Sequence, residues 1–289
     1  MPAFLDAILT MPAGKILVNV SQGIATITLN EPRHLNALTL EDYDAFANSL
    51  RAIDKREDVV ATVWQANGKW FCAGSDLTQT VATTGRVRDV PNTLTQYSMR
   101  DYLIHEVVAA NTDCTHAIYS HSKILVAALN GPVIGLTAAF LGNFDFIYAV
   151  PEAWLNVGMS LLGIATEGGA SVSFVNRMGI AKANEVLILN KKISALEMLE
   201  CGFVNKIFPS KSTEEFHSTV HQHLKKELDG LVPASIFAIK TLIKAGLNEK
   251  NDFHAVNLRE SYAQAERFSS GIPAERFSKI AKKEIKHKL

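Results

Sequence analysis

Apolar and polar residues near the start of the chain alternate with the period of two that is typical of half-buried strands. Residues 24–29 read Ile-Ala-Thr-Ile-Thr-Leu and follow a similar run at 16–20 across a short turn, so the pattern predicts two strands. From Thr39 the apolar residues recur at helical spacing, which predicts a helix to about Asp54. Thr39 and Asp42 predict a capping box at its start. Its apolar face is predicted at Tyr43, Phe46, Leu50 and Ile53.

Continuous apolar runs alternate with helical patterns further along the chain. Three such runs predict buried strands, at 59–65, 124–129 and 144–150. Helices are predicted at 96–120, 133–141, 180–190, 194–201, 213–228, 235–247 and 253–268. Residues 78–95 are polar without a clear period, so they are predicted as a loop, either over a site or as a surface insertion. The chain is therefore predicted to be an α/β protein whose C-terminal part is helical.

The composition is that of an ordinary globular protein. The chain has 289 residues, of which 47% are hydrophobic and 20% charged, and its formal net charge is zero. This balance argues against intrinsic disorder and gives no electrostatic footprint for nucleic acid. No apolar run is long enough for a membrane span, so none is expected. Three widely spaced cysteines, and histidines without metal-ligand spacing, predict neither a disulfide framework nor a metal site. The cysteines favour a reducing, or at least a non-secretory, compartment.

Two glycine-bearing turns follow buried strands and lead into small residues. One covers 73–77 (Ala-Gly-Ser-Asp-Leu) and the other 131–136 (Gly-Pro-Val-Ile-Gly-Leu). Each could point a backbone N–H into a cleft, and two such groups can form an oxyanion hole; the alternative is that both are tight packing turns. Glu167 lies between small residues at 163–169. It is a candidate for chemistry, or else a first-turn residue of a helix that begins near Thr166.

Several stretches share their order and spacing with a known family. They are Leu35-Asn-Ala-Leu38, Phe71-Cys-Ala-Gly-Ser-Asp-Leu77, Asn130-Gly-Pro-Val-Ile-Gly-Leu136, Asp145-Phe-Ile-Tyr148 and the stretch around Glu167. In these the chain resembles the crotonase (enoyl-CoA hydratase/isomerase) superfamily, and especially fungal-type peroxisomal Δ3,Δ2-enoyl-CoA isomerases. The resemblance implies a spiral of ββα units at 15–210. It also implies a helical trimerisation region at 211–289 and assembly into homotrimers or homohexamers. Residues 1–14 are mildly apolar, carry Asp6 and have no basic region before it, so they are predicted to be a flexible extension and not a signal peptide.

The same resemblance implies an acyl-CoA thioester substrate, with no metal and no cofactor other than the coenzyme A that the substrate carries. Ser75 and Leu136 would supply the two N–H groups for the thioester carbonyl. The substrate path would be lined by Ala37, Ala73, Gly74, Ser75, Asp76, Leu77 and Leu136. Hydratases of this family carry two carboxylates where this chain has Ala139 and, approximately, Met159. Hydration needs both groups, so hydratase activity is expected to be feeble.

Glu167 stands where the resembling isomerases have their single catalytic Glu. It is expected to take a proton from C2 of a 3-enoyl-CoA and to return it at C4, which gives 2-trans-enoyl-CoA for fatty-acid β-oxidation. Asn111 is expected to order the acid side of the site, and a place on a helix surface is its alternative. A partly apolar pocket is expected to raise the pKa of Glu167, with candidate lining residues Leu136, Phe140, Leu161 and Leu162.

Two other functions remain open at this point. One is a crotonase-fold enzyme that acts on a specialised acyl-CoA in secondary metabolism, and the other is a catalytically silent CoA-binding partner, against which Glu167 and both turns argue. The last three residues, His287-Lys288-Leu289, resemble the -SKL peroxisomal address, which predicts a peroxisomal protein recognised by the import receptor. Lys240 and Lys244 either meet the CoA phosphates or, as the better prediction, lie on a solvated basic helix.

Overall fold

Strands from the first three quarters of the chain form two sheets. The structure is a computed structural model that describes residues 14–76, 103–282 and 284–285. Its strands are β1 (Ile16–Ser21), β2 (Ile24–Leu29), β3 (Ala61–Ala66), β4 (Ile124–Leu129), β5 (Val133–Ile134), β6 (Phe146–Ala149), β7 (Trp154–Asn156), β8 (Ile193–Ser194) and β9 (Lys206–Ile207). The larger sheet has the order β1-β2-β3-β4-β6-β9. Its first pair is an antiparallel hairpin, and every later pair is parallel.

A smaller sheet, β5-β7-β8, holds the backbone of the second glycine turn. β5 pairs parallel with β7, and β7 pairs antiparallel with β8. Val133 of β5 also forms an isolated parallel bridge to Cys72, which precedes the first glycine turn. The two turns are therefore joined through backbone pairing although they are about sixty positions apart in the chain.

Helices cover the sheets and make up most of the C-terminal part. They are α1 (Leu40–Asp54), α2 (Asp113–Ser120), α3 (Gly135–Phe140), α4 (Met159–Leu162), α5 (Ala170–Leu187), α6 (Ala195–Glu200), α7 (Thr213–Leu228), α8 (Pro233–Lys250), α9 (Phe253–Ser269) and α10 (Ile272–Ala281). A π-helix, Leu103–Thr112, runs directly into α2, and short 3-10 turns cover Pro32–His34 and Leu141–Asn143. This arrangement confirms the predicted α/β class with a helical C-terminal part.

Helix α1 is fixed at its start by polar contacts and along its length by the core. The predicted capping box is present: the Thr39 hydroxyl accepts from the Asp42 N–H (3.2 Å), and the Asp42 carboxylate accepts from the Thr39 N–H (2.9 Å). Further along, Phe46 stacks on Trp64 of β3 with ring centroids 4.4 Å apart, and Phe144 stacks on the same indole at 5.6 Å. Large aromatic surfaces buried in this way are a main source of core stability.

The pattern of apolar and polar residues predicted the helices and strands more accurately than it predicted where they begin and end. Val133–Ile134, predicted as the start of a helix, is instead β5, because pairing with β7 holds these two residues extended. Helix α3 therefore begins only at Gly135. Helix α10 was not predicted; it follows Gly271, whose φ of +75° marks the break after α9.

Several predictions concern residues outside the described ranges. They are the extension at 1–14 except for Gly14, the loop at 78–95, the first part of the predicted helix at 96–102 and the address at 287–289. The predicted boundary between 210 and 211 falls between β9 and α7. The division into domains and the assembly into trimers or hexamers stay predictions.

Helix α8 is not the solvated basic helix that the sequence predicted. Lys240 is buried, and its Nζ donates to the Asp145 carboxylate (2.5 Å) and to the Lys123 carbonyl oxygen (2.6 Å). The Lys244 ammonium donates to the backbone carbonyl oxygens of Tyr119 and His121. For Lys240 the prediction is wrong, because the charge is paired inside the protein, where leaving it unpaired would be costly.

The exposed side of α8 is apolar. It presents Ile239, Leu242, Ile243 and Leu247 to solvent. Among the described residues no single helix is long and apolar enough to cross a membrane, although α7 and α8 meet that measure together as a pair bent by 98°.

Candidate active site

The first glycine turn is held by hydrogen bonds that do not use the Ser75 N–H. The Leu38 N–H donates to the Gly74 carbonyl oxygen (2.9 Å), and the Asp76 N–H donates to the Leu38 carbonyl oxygen (2.8 Å). In such a parallel bridge Leu38 bonds to the residues on either side of Ser75, so the Ser75 N–H points to the opposite side. None of the described residues accepts a hydrogen bond from it.

The second turn packs against the first through two glycines. The Ile134 N–H donates to the Cys72 carbonyl oxygen at 3.0 Å. A Cβ added to Gly74 would lie 3.0 Å from the Ile134 carbonyl oxygen and 3.6 Å from the Gly135 Cα. Both glycines have positive φ, +86° and +70°. Only glycine gives this close approach and this backbone conformation without strain.

Leu136 is the second residue of α3, so its N–H has no partner within the helix. No side chain caps this end. The N-terminal N–H groups of a helix carry partial positive charge, which suits them to a developing oxyanion. Ser75 and Leu136 line the same cavity, of about 240 Å³.

The cavity collects most of the residues that the sequence singled out. Its lining includes Ala73, Gly74, Ser75, Asp76, Asn111, Leu136 and Glu167. Of the predicted apolar wall, Leu136 and Leu162 contribute, whereas Leu161 does not and Phe140 is part of the core. Ala37 does not line the cavity either; the lining begins with its neighbour Leu38. Leu77, also predicted on the substrate path, lies outside the described residues.

Glu167 precedes α5 and does not lie in its first turn. Gly168 and Gly169 follow it with φ of +72° and +74°, and α5 begins only at Ala170. A side chain at Gly169 would meet the ring of Phe253 at 2.3 Å, so the glycines let this segment pass close under α9. The interpretation of Glu167 as a helix-start residue is therefore wrong. Its side chain is almost fully buried and faces the cavity.

Burial changes the acidity of Glu167. Removal from water raises the pKa of its carboxyl to about 8, the nearby charge of Glu260 acts in the same direction, and a hydrogen bond from Gln264 acts against both. The Gln264 Nε2 donates to the Glu167 Oε2 at 2.9 Å. A carboxyl group that titrates near working pH can both accept and return a proton.

Asn111 orders the backbone beside Glu167. It is buried near the end of the π-helix, and its Oδ1 accepts from the Gly168 N–H (2.8 Å) and from the Thr115 hydroxyl (3.2 Å). Its Nδ2 donates to the Ser261 hydroxyl of α9 at 3.4 Å. The alternative of an exposed residue on a helix surface is wrong.

Sequence reasoning missed Tyr43 and the contribution of the last two helices. The Tyr43 hydroxyl lies 3.0 Å from the Ser75 hydroxyl, so it fixes that side chain next to the cavity. Phe268 and Phe277 line the cavity, and Gln264 reaches Glu167 from 97 positions away. One signal was available: α9 carries polar residues at the i, i+3, i+4, i+7 spacing of a buried face, namely Asn257, Glu260, Ser261 and Gln264.

Three carboxylates line the cavity among the described residues, and they differ in burial. Glu41 is exposed and Asp76 is half-buried, whereas Glu167 is buried. Ala139 and Met159, which the resemblance places at or, for Met159, approximately at the positions of the two hydratase carboxylates, are both buried. No group of three or more His, Cys, Asp or Glu side chains in the described ranges is arranged to hold a metal ion.

Comparisons with known proteins identify the family and the fold. The family described as Enoyl-CoA hydratase/isomerase matches residues 19–274. The Delta(3,5)-Delta(2,4)-dienoyl-CoA isomerase of Pyricularia oryzae is 38% identical, over 96% of this chain and 100% of that protein. The 3,2-trans-enoyl-CoA isomerase of Saccharomyces cerevisiae is 32% identical, over 95% and 97% respectively. A crystal structure of an enoyl-CoA hydratase/isomerase from Pseudoalteromonas atlantica T6c, 24% identical, matches 96% of this chain and 100% of its own with a TM-score of 0.77, which confirms the predicted fold.

Proposed function

The chain belongs to the enoyl-CoA hydratase/isomerase family, and from that premise we propose that it moves the double bond of 3-enoyl-CoA thioesters to position 2, in fatty-acid β-oxidation. One observation carries the proposal: among the described residues that line the cavity, Glu167 alone has a buried carboxyl, and it faces two turns whose Ser75 and Leu136 N–H groups have no acceptor among those residues. The proposed substrate class, an unsaturated acyl-CoA thioester, is the one that the names of the isomerases among its relatives give.

The two turns would bind the thioester carbonyl. Loss of a proton from C2 turns that carbonyl into an enolate oxygen, and the N–H groups of Ser75 and Leu136 stabilise its negative charge. Both donors belong to the backbone, that of Ser75 held by the bridge to Leu38 and that of Leu136 by α3, so they need little reorganisation during the reaction. The Ser75 side chain is not needed for this role, because the donor is the backbone N–H.

Glu167 would carry the proton from one carbon to the other. Its ionised carboxylate takes a proton from C2, and the electron pair of that C–H bond spreads over the dienolate. The carboxylic acid so formed returns the same proton to C4, which leaves the double bond at C2 and Glu167 ionised again. A pKa of about 8 suits both halves of this shuttle, because neither protonation state is strongly favoured near that pH.

Hydration of a 2-enoyl-CoA would be poorly supported. It requires one group to activate water and another to protonate the α-carbon. By the resemblance, Ala139 and, approximately, Met159 stand where the hydratases of the family place these carboxylates. The exposed Glu41 and the half-buried Asp76 are the other acids on the cavity wall among the described residues.

A dienoyl-CoA isomerase is the second candidate, favoured by the relative from Pyricularia oryzae. Conversion of a 3,5-diene into a 2,4-diene moves the proton from C2 to C6, twice as many bonds as the shift from C2 to C4. One carboxyl reaches neighbouring positions more readily than distant ones, so a site whose described lining holds one buried acid favours the shorter shift. Asp76, which lines the same cavity, is the side chain that could serve a longer one.

A set of parallel assays tests the proposal. The purified protein is given 3-hexenoyl-CoA, a 3,5-dienoyl-CoA and 2-butenoyl-CoA, and the conjugated thioesters are followed by absorbance. We expect the first substrate to be converted with the highest kcat/KM and the third to be hydrated at a rate lower by orders of magnitude. Faster turnover of the diene would establish the second candidate. Tight acyl-CoA binding without any conversion would indicate a silent binding partner or a specialised substrate.

The peroxisome is the proposed location, on the basis of the His287-Lys288-Leu289 ending alone. A fluorescent fusion that keeps these three residues at its C-terminus should enter peroxisomes. The same fusion without them should stay in the cytosol. Import of the shortened fusion would point to another signal or to entry with a partner.

A further inference from the structure

Helix α9 bonds the segment that carries Glu167 along most of its length. Arg267 donates from Nε to the Gly163 carbonyl oxygen at 2.8 Å. One turn earlier in α9, Gln264 contacts Ala165 and Glu167. One turn before that, the Glu260 carboxylate accepts from the N–H groups of Gly169 (2.7 Å) and Ser171 (2.9 Å). These three side chains lie on one face of the helix because they are spaced three and four residues apart.

Gln264 is the member of this set that touches the carboxylate itself. Its Nε2 donates to the Glu167 Oε2 at 2.9 Å, and its Oε1 accepts from the Ala165 N–H at 2.9 Å. The side chain is buried, and both ends of its amide are used. An amide is the neutral group that offers a donor and an acceptor side by side, so Gln264 cannot rotate without losing both bonds.

The other carboxylate oxygen of Glu167, Oε1, has no hydrogen-bond donor among the described residues; the bond from Gln264 goes to Oε2. With Oε2 tied to α9 the carboxylate has one preferred orientation, and Oε1 is the oxygen left for the substrate proton. Groups held this way lose less freedom when the substrate binds.

We propose that Gln264 is a positioning residue for the reaction, which orients the Glu167 carboxylate through the Nε2–Oε2 bond and favours its ionised, basic form. The inference rests on the proposed function for its catalytic consequence and on the contacts above for its geometry. Glu260 lies one turn before Gln264 on α9, and its charge disfavours ionisation of Glu167. Tyr43 of α1 is a titratable group whose pKa is raised by burial and in turn by the charge of Glu167. Arg267 is engaged with Gly163, and Glu41 and Asp76 line the same cavity.

The test compares Gln264→Met with Gln264→Glu across a range of pH. Methionine has a similar length and removes both bonds; glutamate keeps an acceptor for the Ala165 N–H but replaces the donor with a second acid. In the wild type kcat/KM for the 3-enoyl-CoA should rise with pH through the pKa of Glu167, near 8. In Gln264→Met this rise should move up by about one pH unit, since a hydrogen bond to a charged group is lost. Activity at pH 7 should then fall roughly tenfold and approach the wild-type value at the alkaline end. In Gln264→Glu the rise of kcat/KM should occur at a still higher pH.

A second measurement makes the result independent of activity. Infrared titration of the Glu167 carboxyl in the unliganded protein, with Glu167→Gln as the reference, reports its ionisation directly. Gln222→Met is the matched control, because Gln222 is exposed on α7 and should leave both readouts unchanged. Loss of activity by the same factor at every pH, with an unchanged carboxyl titration, would show a structural role only and overturn the inference. If the wild type lacked isomerase activity but the titration of the Glu167 carboxyl still moved to higher pH in Gln264→Met, the proposed function would fail and the orienting role of Gln264 would stand.

Discussion

Replacement of Glu167 by Gln is expected to lower kcat for 3-enoyl-CoA isomerisation by about 10⁴-fold, the upper end of the usual contribution of a general acid–base. One residue is assigned both the removal and the return of the proton, so its loss disables both steps. Neither Glu41 nor Asp76 is buried beside the two N–H turns in the same way. Steady-state kinetics with 3-hexenoyl-CoA measures the change.

The fold and the substrate affinity should survive this replacement. A Gln at position 167 has nearly the same shape, and its amide oxygen can accept the bond from Gln264 that the carboxylate accepts now. Removing a carboxyl that burial keeps partly protonated should also leave the thermal midpoint close to that of the wild type. Glu41→Gln is the matched control, because Glu41 lines the same cavity but is exposed, and it should change kcat by no more than a few fold. A Glu167→Gln enzyme with more than a tenth of normal turnover would assign the base to another group.

Periodicity predicted those elements whose ends are set by local chemistry. Strand β2 was predicted with its observed bounds, and α1 was predicted with its capping box, because turn residues and a Thr–Asp pair define them within a few positions. The short strands β5, β7 and β8 were not predicted. Two or three residues carry no period, and these strands exist because distant segments pair with them.

The candidate site divides in the same way. Glycines in the sequence indicated the turns at Ser75 and Leu136 and the segment after Glu167. A backbone that lies close to another backbone, or that has a left-handed conformation, requires glycine. The contacts of Tyr43 and Gln264 have no such signal in the sequence near the residues that they contact. Their contacts depend on how α1 and α9 pack, and a polar residue on a helix does not reveal which buried group it will reach.

Gly74→Ala is expected to reduce kcat by about 10²-fold or more, the usual effect of losing one oxyanion donor. At a φ of +86° an alanine is strained, and its Cβ would press on the Ile134 carbonyl oxygen at 3.0 Å. Ile134 cannot yield easily, since β5 is paired with β7. The strain is instead relieved by moving Ser75 away from Leu136, which separates the two N–H groups.

The free energy of unfolding should fall by only about 1–3 kcal/mol in this variant, the usual cost of one strained residue, so the protein should still be folded when it is assayed. Gly246→Ala in α8 is the matched control, because nothing lies within 4 Å of the added Cβ and alanine favours a helix. The pH at which kcat/KM rises should stay near that of the wild type in Gly74→Ala, since Gln264 and Glu260 are untouched. This combination separates the two parts of the site: changes at Gly74 affect the height of the pH profile, whereas changes at Gln264 affect its position. A folded Gly74→Ala enzyme with turnover within threefold of normal would exclude Ser75 as an oxyanion donor.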